Sequence, residues 1–170
     1  MSSVYSNLKL LAYPDQLAAL RAGQVSAPVH VRIKPINRCN HACSYCAYRS
    51  DELQLGADMI EADRLPEPKL FEICDDIITM GVAAVTFSGG GEPMLHKSLP
   101  DAVSRLGRGG VRIGCLTNGS NLRGRMADAF AQHGTWVRIS LDAWDDASYA
   151  ASRKIGEGAF SNLLRNMEQF

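Results

Sequence analysis

Apolar and polar residues change period repeatedly along the chain. From Val29 to Pro35 they alternate, with Val29, Val31 and Ile33 set against His30, Arg32 and Lys34, the period of a strand with one buried face. Near Pro66 and Pro68 the period lengthens. Leu70, Ile73, Cys74, Ile77 and Ile78 then recur at helical spacing up to Gly81, with proline tolerated in the first turn and glycine ending the helix. Val82 to Phe87 is a short apolar run, suited to a strand buried on both faces. The pattern then predicts a helix over Leu99–Gly107, a strand over Val111–Leu116, a helix over Asn121–His133 and a strand over Trp136–Leu141. Leu122, Met126, Ala129 and Phe130 share one side of the helix before that last strand. Ala147–Ser152 and Phe160–Phe170 read as helical, separated by Gly156 and Gly158. Ahead of all this, Leu8 to Ala22 forms a helix with a modest stripe of Leu17, Ala18 and Leu20, and Gly23 punctuates it.

Strand and helix thus alternate four times. Such alternation predicts an α/β fold with right-handed crossovers and a parallel sheet. Residues 1–27 read as an N-terminal helical extension and residues 28–170 as the core domain. The 170 residues suffice for one domain with a real core, and 46% are hydrophobic, as in globular proteins.

The candidate chemistry lies in the connections. Ligands of parallel α/β folds bind beyond the C-terminal ends of the strands. Polar motifs occupy all four such ends: Cys39, Cys43 and Cys46 after the first strand, and Ser88-Gly89-Gly90-Gly91-Glu92-Pro93 after the second. Thr117-Asn118-Gly119 follows the third, and Ser140-Leu141-Asp142 closes the fourth. The cysteines are spaced C-x3-C-x2-C with no fourth nearby. Four thiolates close an iron–sulfur cluster; three leave one iron of a 4Fe-4S cluster open to a small molecule. A zinc site with His41 as fourth ligand is the rival reading, although zinc ligands usually come as two separated pairs. A disulfide framework fits poorly with five cysteines. Cys74 and Cys115 read as core residues.

Taken in order, these motifs resemble the radical S-adenosylmethionine (radical SAM) enzymes. Tyr45 stands just before the last cysteine as in that family's cluster loop, and Gly90-Gly91-Glu92-Pro93 matches its Gly-Gly-Glu-Pro motif. The resemblance runs from about Val29 to the C-terminus. It implies a partial TIM-type (β/α) barrel, of which this chain supplies about four βα units where the family usually has six. The bare sheet edge this leaves makes a longer protein, or a partner chain completing the barrel, the expectation. It implies that Cys39, Cys43 and Cys46 bind a 4Fe-4S cluster and that S-adenosyl-L-methionine chelates the open iron. Reductive cleavage to a 5′-deoxyadenosyl radical and hydrogen abstraction from an unknown substrate would follow, with electrons from a flavodoxin or ferredoxin type donor.

By the same resemblance, Gly90, Gly91 and Glu92 contact the methionyl amino group, since an ammonium wants carbonyl and carboxylate acceptors. Thr117 contacts the methionyl part, and Tyr45 packs by the adenine. Ser140 and Asp142, on one face of a strand at i, i+2, suit the ribose hydroxyls. Arg153 suits the methionyl carboxylate. For several of these a plainer reading stays open: a tight turn for the glycines, a cap or turn for Ser140 and Asp142, a solvated surface position for Arg153; Asn118-Gly119 reads as turn chemistry.

Charge changes the picture little. Eighteen basic residues balance eighteen acidic ones, so no basic excess argues for nucleic-acid binding. No apolar run reaches membrane-spanning length, and Met1–Leu11 lacks a signal peptide's apolar segment. Labile thiolates call for a reducing compartment, which makes the cytoplasm the expected location.

Overall fold

The structure, a computed structural model, describes residues 8–49 and 56–170. Residues 1–7 of the predicted N-terminal extension and residues 50–55 of the predicted cysteine loop lie outside them.

Four strands form one parallel sheet in the order β1 (His30–Ile33), β2 (Ala84–Phe87), β3 (Arg112–Thr117) and β4 (Gly134–Ile139). The connecting helices are α2 (Glu67–Thr79), α3 (Leu99–Arg108) and α4 (Arg125–His133). Two more, α5 (Asp146–Arg153) and α6 (Ala159–Gln169), follow β4. Because the strand order is the chain order, every crossover moves the same way. Right-handed crossovers then place α2, α3 and α4 on one face of the sheet. This is a singly wound α/β arrangement, the start of a barrel, with four βα units as the periodicity predicts.

The side chains of each strand sort accordingly. Val31 and Ile33, Val85 and Phe87, Ile113 and Cys115, and Val137 and Ile139 point toward the helices. There they meet Leu70, Cys74 and Ile77 of α2, Leu99, Val103 and Leu106 of α3, and Met126 and Phe130 of α4. The helical stripe predicted from Leu70 to Ile78 is the face α2 buries, with Ile73 and Ile78 at its margin. Cys74 and Cys115 are free and fully buried; burial pushes the Cys74 thiol up to about 11, so both are inert core.

Three boundaries differ from the sequence reading. The predicted N-terminal helix divides into a 3-10 turn at Lys9–Ala12 and a short α1 (Pro14–Arg21) that buries none of its residues. Of its weak stripe, Leu17 is half-buried and Leu20 is 67% exposed. Leu122 is buried as expected but precedes α4, because Gly124 at φ 51° breaks the helical path before Arg125. β4 ends at Ile139, so Ser140 and Asp142 lie beyond the strand rather than on one of its faces. Among the described residues no helix is long and apolar enough to cross a membrane.

Candidate active site at the strand ends

The chain leaves β1 through Pro35 and Ile36, which pair with Leu65 and Arg64. Asn37 N–H donates to the Asp63 carbonyl at 2.9 Å. This pins the segment entering the cysteine loop. The glycine run then lies directly against it. Gly91 N–H donates to the Ile36 carbonyl at 3.3 Å and Glu92 N–H to the Arg38 carbonyl at 3.0 Å. A Cβ on Gly91 would stand 2.0 Å from the Arg38 carbonyl oxygen, and one on Gly90 would stand 2.6 Å from Met59 Sδ. Gly91 is therefore required by the backbone's own close approach to itself, an office the resemblance gave to a ligand, whereas Gly90 meets only side chains. Among the described residues the Gly90 and Gly91 carbonyls accept no hydrogen bond, which leaves acceptors free at this strand end.

Glu92 is the junction of the site. Its carboxylate is 3% exposed. One oxygen, Oε1, accepts from Met94 N–H at 3.0 Å and from the Thr117 hydroxyl at 2.6 Å. The other, Oε2, accepts from Asn118 N–H at 2.7 Å. Burial raises the Glu92 pKa, and these three donors work against it. A carboxylate has about four acceptor positions, so one remains on Oε2.

From there an amide chain reaches the cysteines. Asn118 Nδ2 donates to Asn40 Oδ1 at 2.9 Å, Asn40 Nδ2 donates to Ser120 Oγ at 2.8 Å, and Ser120 Oγ donates back to Asn118 Oδ1 at 2.7 Å. Asn40 lies between Cys39 and Cys43, so this triangle ties the cysteine loop to the end of β3. Sequence reading assigned Asn118 to turn chemistry and Asn40 to nothing. Their burial or pairing arises across 78 residues of sequence separation, which no local pattern reveals.

The second tether is α5. Ala42 N–H donates to the Arg153 carbonyl at 3.0 Å and Ser44 N–H to the Ser152 carbonyl at 3.1 Å. These are the last carbonyls of a helix, which lack partners within it. The N-terminus of α5 is fixed by a capping box between Asp145 and Ser148. His41 is buried, its ring edge-on to Tyr149 at 5.9 Å. Burial, followed by the nearby Arg153, lowers the His41 pKa to about 4, so the ring is neutral.

Arg153 is 3% exposed, which excludes the solvated reading. Its Nε donates to Asp142 Oδ1 at 2.9 Å and its Nη2 to the Ser140 carbonyl at 2.8 Å, with a further contact from Nη2 to Asp142. Its Nη1 stands 3.6 Å from Cys43 Sγ. The guanidinium also lies over the Tyr149 ring at 5.0 Å and the Tyr45 ring at 5.5 Å. Burial favours the neutral acid at Asp142, but the Tyr45 hydroxyl and the Arg153 guanidinium outweigh it and hold the pKa below its ordinary value. Asp142 and Arg153, read from the sequence as separate contacts to a ligand, thus form an ion pair with each other.

Cys39, Cys43 and Cys46 are free and partly exposed on one loop, whose turn is closed by Cys46 N–H donating to the Cys43 carbonyl at 3.1 Å. Cys39 Sγ accepts from His41 N–H at 3.5 Å. Burial raises the Cys39 pKa. Among the described residues no three His, Cys, Asp or Glu side chains gather around a point that could hold a single ion. The His41 ring, the fourth ligand of the zinc reading, packs edge-on to Tyr149. Three uncrossed thiols on one loop, with N–H donors at two sulfurs and no fourth cysteine, fit a cluster held at three corners.

The arrangement defines an α/β protein whose strand ends converge on an open three-thiol site. The chain belongs to the radical SAM superfamily, whose family model matches residues 33–170. The cofactors of that superfamily are a 4Fe-4S cluster and S-adenosylmethionine. A GTP 3′,8-cyclase of Synechococcus elongatus is 30% identical over 142 residues, 82% of this chain and 41% of that one. An S-adenosylmethionine-dependent nucleotide dehydratase of Lacinutrix mariniflava is 29% identical over 108 residues, 64% of this chain and 22% of that one. The chain thus spans less than half the length of these curated relatives. Streptococcus suis SuiB bound to S-adenosylmethionine superposes with a TM-score of 0.67 at 15% identity, over 98% of this chain and 38% of that one. The native anSMEcpe structure with bound AdoMet gives 0.63 at 20% identity, over 84% and 41%. These structures share the fold, a radical SAM partial TIM barrel.

Proposed function

We propose that this chain is the cofactor-binding part of a radical SAM enzyme acting on a nucleotide. Cys39, Cys43 and Cys46 hold a 4Fe-4S cluster. Bound together, the cluster and S-adenosylmethionine supply one-electron cleavage of a carbon–sulfur bond and hydrogen-atom abstraction from the substrate. The observation that carries the reading is the three-cysteine loop fastened on two sides, by Asn40 to the Glu92–Asn118 junction and by Ala42 and Ser44 to the end of α5.

The protein's own residues bind and orient. The open carbonyls of Gly90 and Gly91 and the remaining acceptor position of Glu92 offer the methionyl ammonium its partners. Thr117 holds the Glu92 carboxylate at that angle. The Ser140 hydroxyl, which makes no side-chain bond among the described residues, is left for a ribose. Tyr45, 54% exposed, offers an open ring to the adenine. Arg153 faces Cys43 with one nitrogen and keeps Asp142 beside it; together they border the methionyl carboxylate. Residues 28–170 are the first part of the core domain and residues 1–27 an extension of it. A flavodoxin or ferredoxin type donor supplies the electron, in a reducing compartment such as the cytoplasm. The nucleotide substrate is supported by the names of the relatives, a GTP cyclase and a nucleotide dehydratase.

The test is anaerobic reconstitution with iron and sulfide, then incubation with S-adenosylmethionine and dithionite. Formation of 5′-deoxyadenosine, lost in Cys39→Ala and Cys43→Ala, is expected. Stoichiometric zinc with no iron uptake would overturn the reading.

A further inference from the structure

Arg49 follows the last cysteine of the loop by three residues, and its N–H donates to the Cys46 carbonyl at 2.9 Å. The turn this closes brings its side chain back toward the thiols. Burial works against the Arg49 charge, but the Glu61 carboxylate, then Cys39 and Cys46, more than offset it. In return the guanidinium opposes the rise that burial imposes on the Cys39 thiol. Arg153 stands at the remaining sulfur, 3.6 Å from Cys43 Sγ. Between them the two guanidiniums serve all three thiols.

The Arg49 side chain is only 25% exposed, and its donors are unevenly used. Nη2 donates to Glu61 Oε1 at 2.9 Å. Nε is buried and, among the described residues, donates to nothing. A buried N–H without an acceptor is costly and rare in folded proteins.

Glu61 is itself held in place. Asn37 Nδ2 donates to the Ile60 carbonyl at 3.0 Å, and Asn37 N–H donates to the Asp63 carbonyl at 2.9 Å. Earlier in the same segment, Gly56 passes so close to the cysteine loop that a Cβ would stand 2.0 Å from the Tyr48 carbonyl oxygen. Glu61 is 59% exposed, so the ion pair adds little stability. Its effect is directional: a carboxylate carried by a fastened segment fixes where the guanidinium points.

We propose that Arg49 is a positioning residue for the cluster, its Nε–H donating to a cluster sulfur on the Cys39 and Cys46 side while Glu61 holds the guanidinium. This rests on the reading under Proposed function. Net charge and hydrogen bonds to the sulfurs set a cluster's potential, and a charged donor makes the stronger bond. Arg49 therefore favours the reduced cluster, the form that gives up the electron.

The test uses the complete protein, reconstituted anaerobically. Iron content and an EPR-monitored redox titration are measured for wild type, Arg49→Gln, Arg49→Lys and Arg125→Gln. Arg125 is the control, an exposed arginine paired with Asp101. In Arg49→Gln the ratio of reduced to oxidised cluster at a fixed potential is expected to fall roughly tenfold, a shift of about 59 mV for one electron. Arg49→Lys keeps the charge without the planar fork and should recover part of the shift, and Arg125→Gln should show none. Loss of iron to a ferrous chelator should be faster in Arg49→Gln and in Glu61→Gln than in wild type. Arg49→Gln that loads no iron where Arg49→Lys does would also support the role. An unchanged potential in loaded Arg49→Gln would overturn it, as would an equal shift in Arg125→Gln. Failure of both Arg49 variants to load iron would assign the residue to holding the loop itself and overturn the role. No cluster in wild type would overturn the cofactor reading and this role with it, whereas an unchanged potential in a loaded variant overturns this role alone.

Discussion

The Thr117 hydroxyl donates to Oε1 of Glu92 at 2.6 Å, and both residues are 3% exposed. This bond joins the end of β3 to the glycine connection after β2, and Asn118 extends the join to the cysteine loop. Glu92→Gln presents an amide N–H₂ where one of the two oxygens accepted, so a buried N–H or O–H donor meets another donor. The expected loss is about 2–3 kcal/mol. Thr117→Val removes one bond and is expected to cost about 1–2 kcal/mol. Urea denaturation of both single variants and the double variant should show less than additive losses.

Gly91→Ala sets a Cβ 2.0 Å from the Arg38 carbonyl oxygen and 2.4 Å from that of Asn37, both backbone atoms that cannot move aside cheaply. Overpacking of this kind costs about 1–3 kcal/mol and here displaces the start of the cysteine loop. Gly156→Ala meets nothing within 4 Å and is expected to stay within about 0.5 kcal/mol of wild type. Thermal melts of the pair make the comparison.

The sequence made the four βα units, the core faces and the strand-end placement of the motifs legible, because period and connection rules act locally. It did not reveal what holds the site together. The Asn118–Asn40 bond and the donation of Ala42 and Ser44 to α5 link residues far apart in sequence. Asn118 looked like turn chemistry because asparagine before glycine usually is. The family resemblance put Arg153 near the site but not as the partner of Asp142, since the bend after Ile139 is tertiary.

His41 supplies a pH dependence. Its folded pKa of about 4 lies below its ordinary 6.5, so the unfolded chain binds the proton first as pH falls. The stabilisation is complete above about pH 6.5 and is lost progressively down to about pH 4. At about 1.4 kcal/mol per pH unit the full effect is about 3 kcal/mol. Urea midpoints between pH 7 and pH 4.5 should fall for wild type and fall less steeply for His41→Phe, which keeps the edge contact with Tyr149.

Arg153→Met removes a buried cation 3.6 Å from Cys43 Sγ. Reduction adds negative charge to a cluster, so losing a cation beside it disfavours the reduced state. The midpoint potential is expected to become more negative by roughly 40–90 mV, equivalent to about 1–2 kcal/mol of charge interaction. Arg153→Lys should recover part of the shift. An EPR-monitored redox titration reads both, and an unchanged potential in Arg153→Met would place the guanidinium outside the field of the cluster.

The central claim is that the three-thiol loop holds a cluster with one iron open to S-adenosylmethionine. Its most direct test is EPR of the anaerobically reconstituted, dithionite-reduced protein, with and without S-adenosylmethionine. The account predicts a reduced 4Fe-4S signal whose g-values and line shape change when S-adenosylmethionine is added. A signal indifferent to it, or no cluster signal at all, would contradict the account.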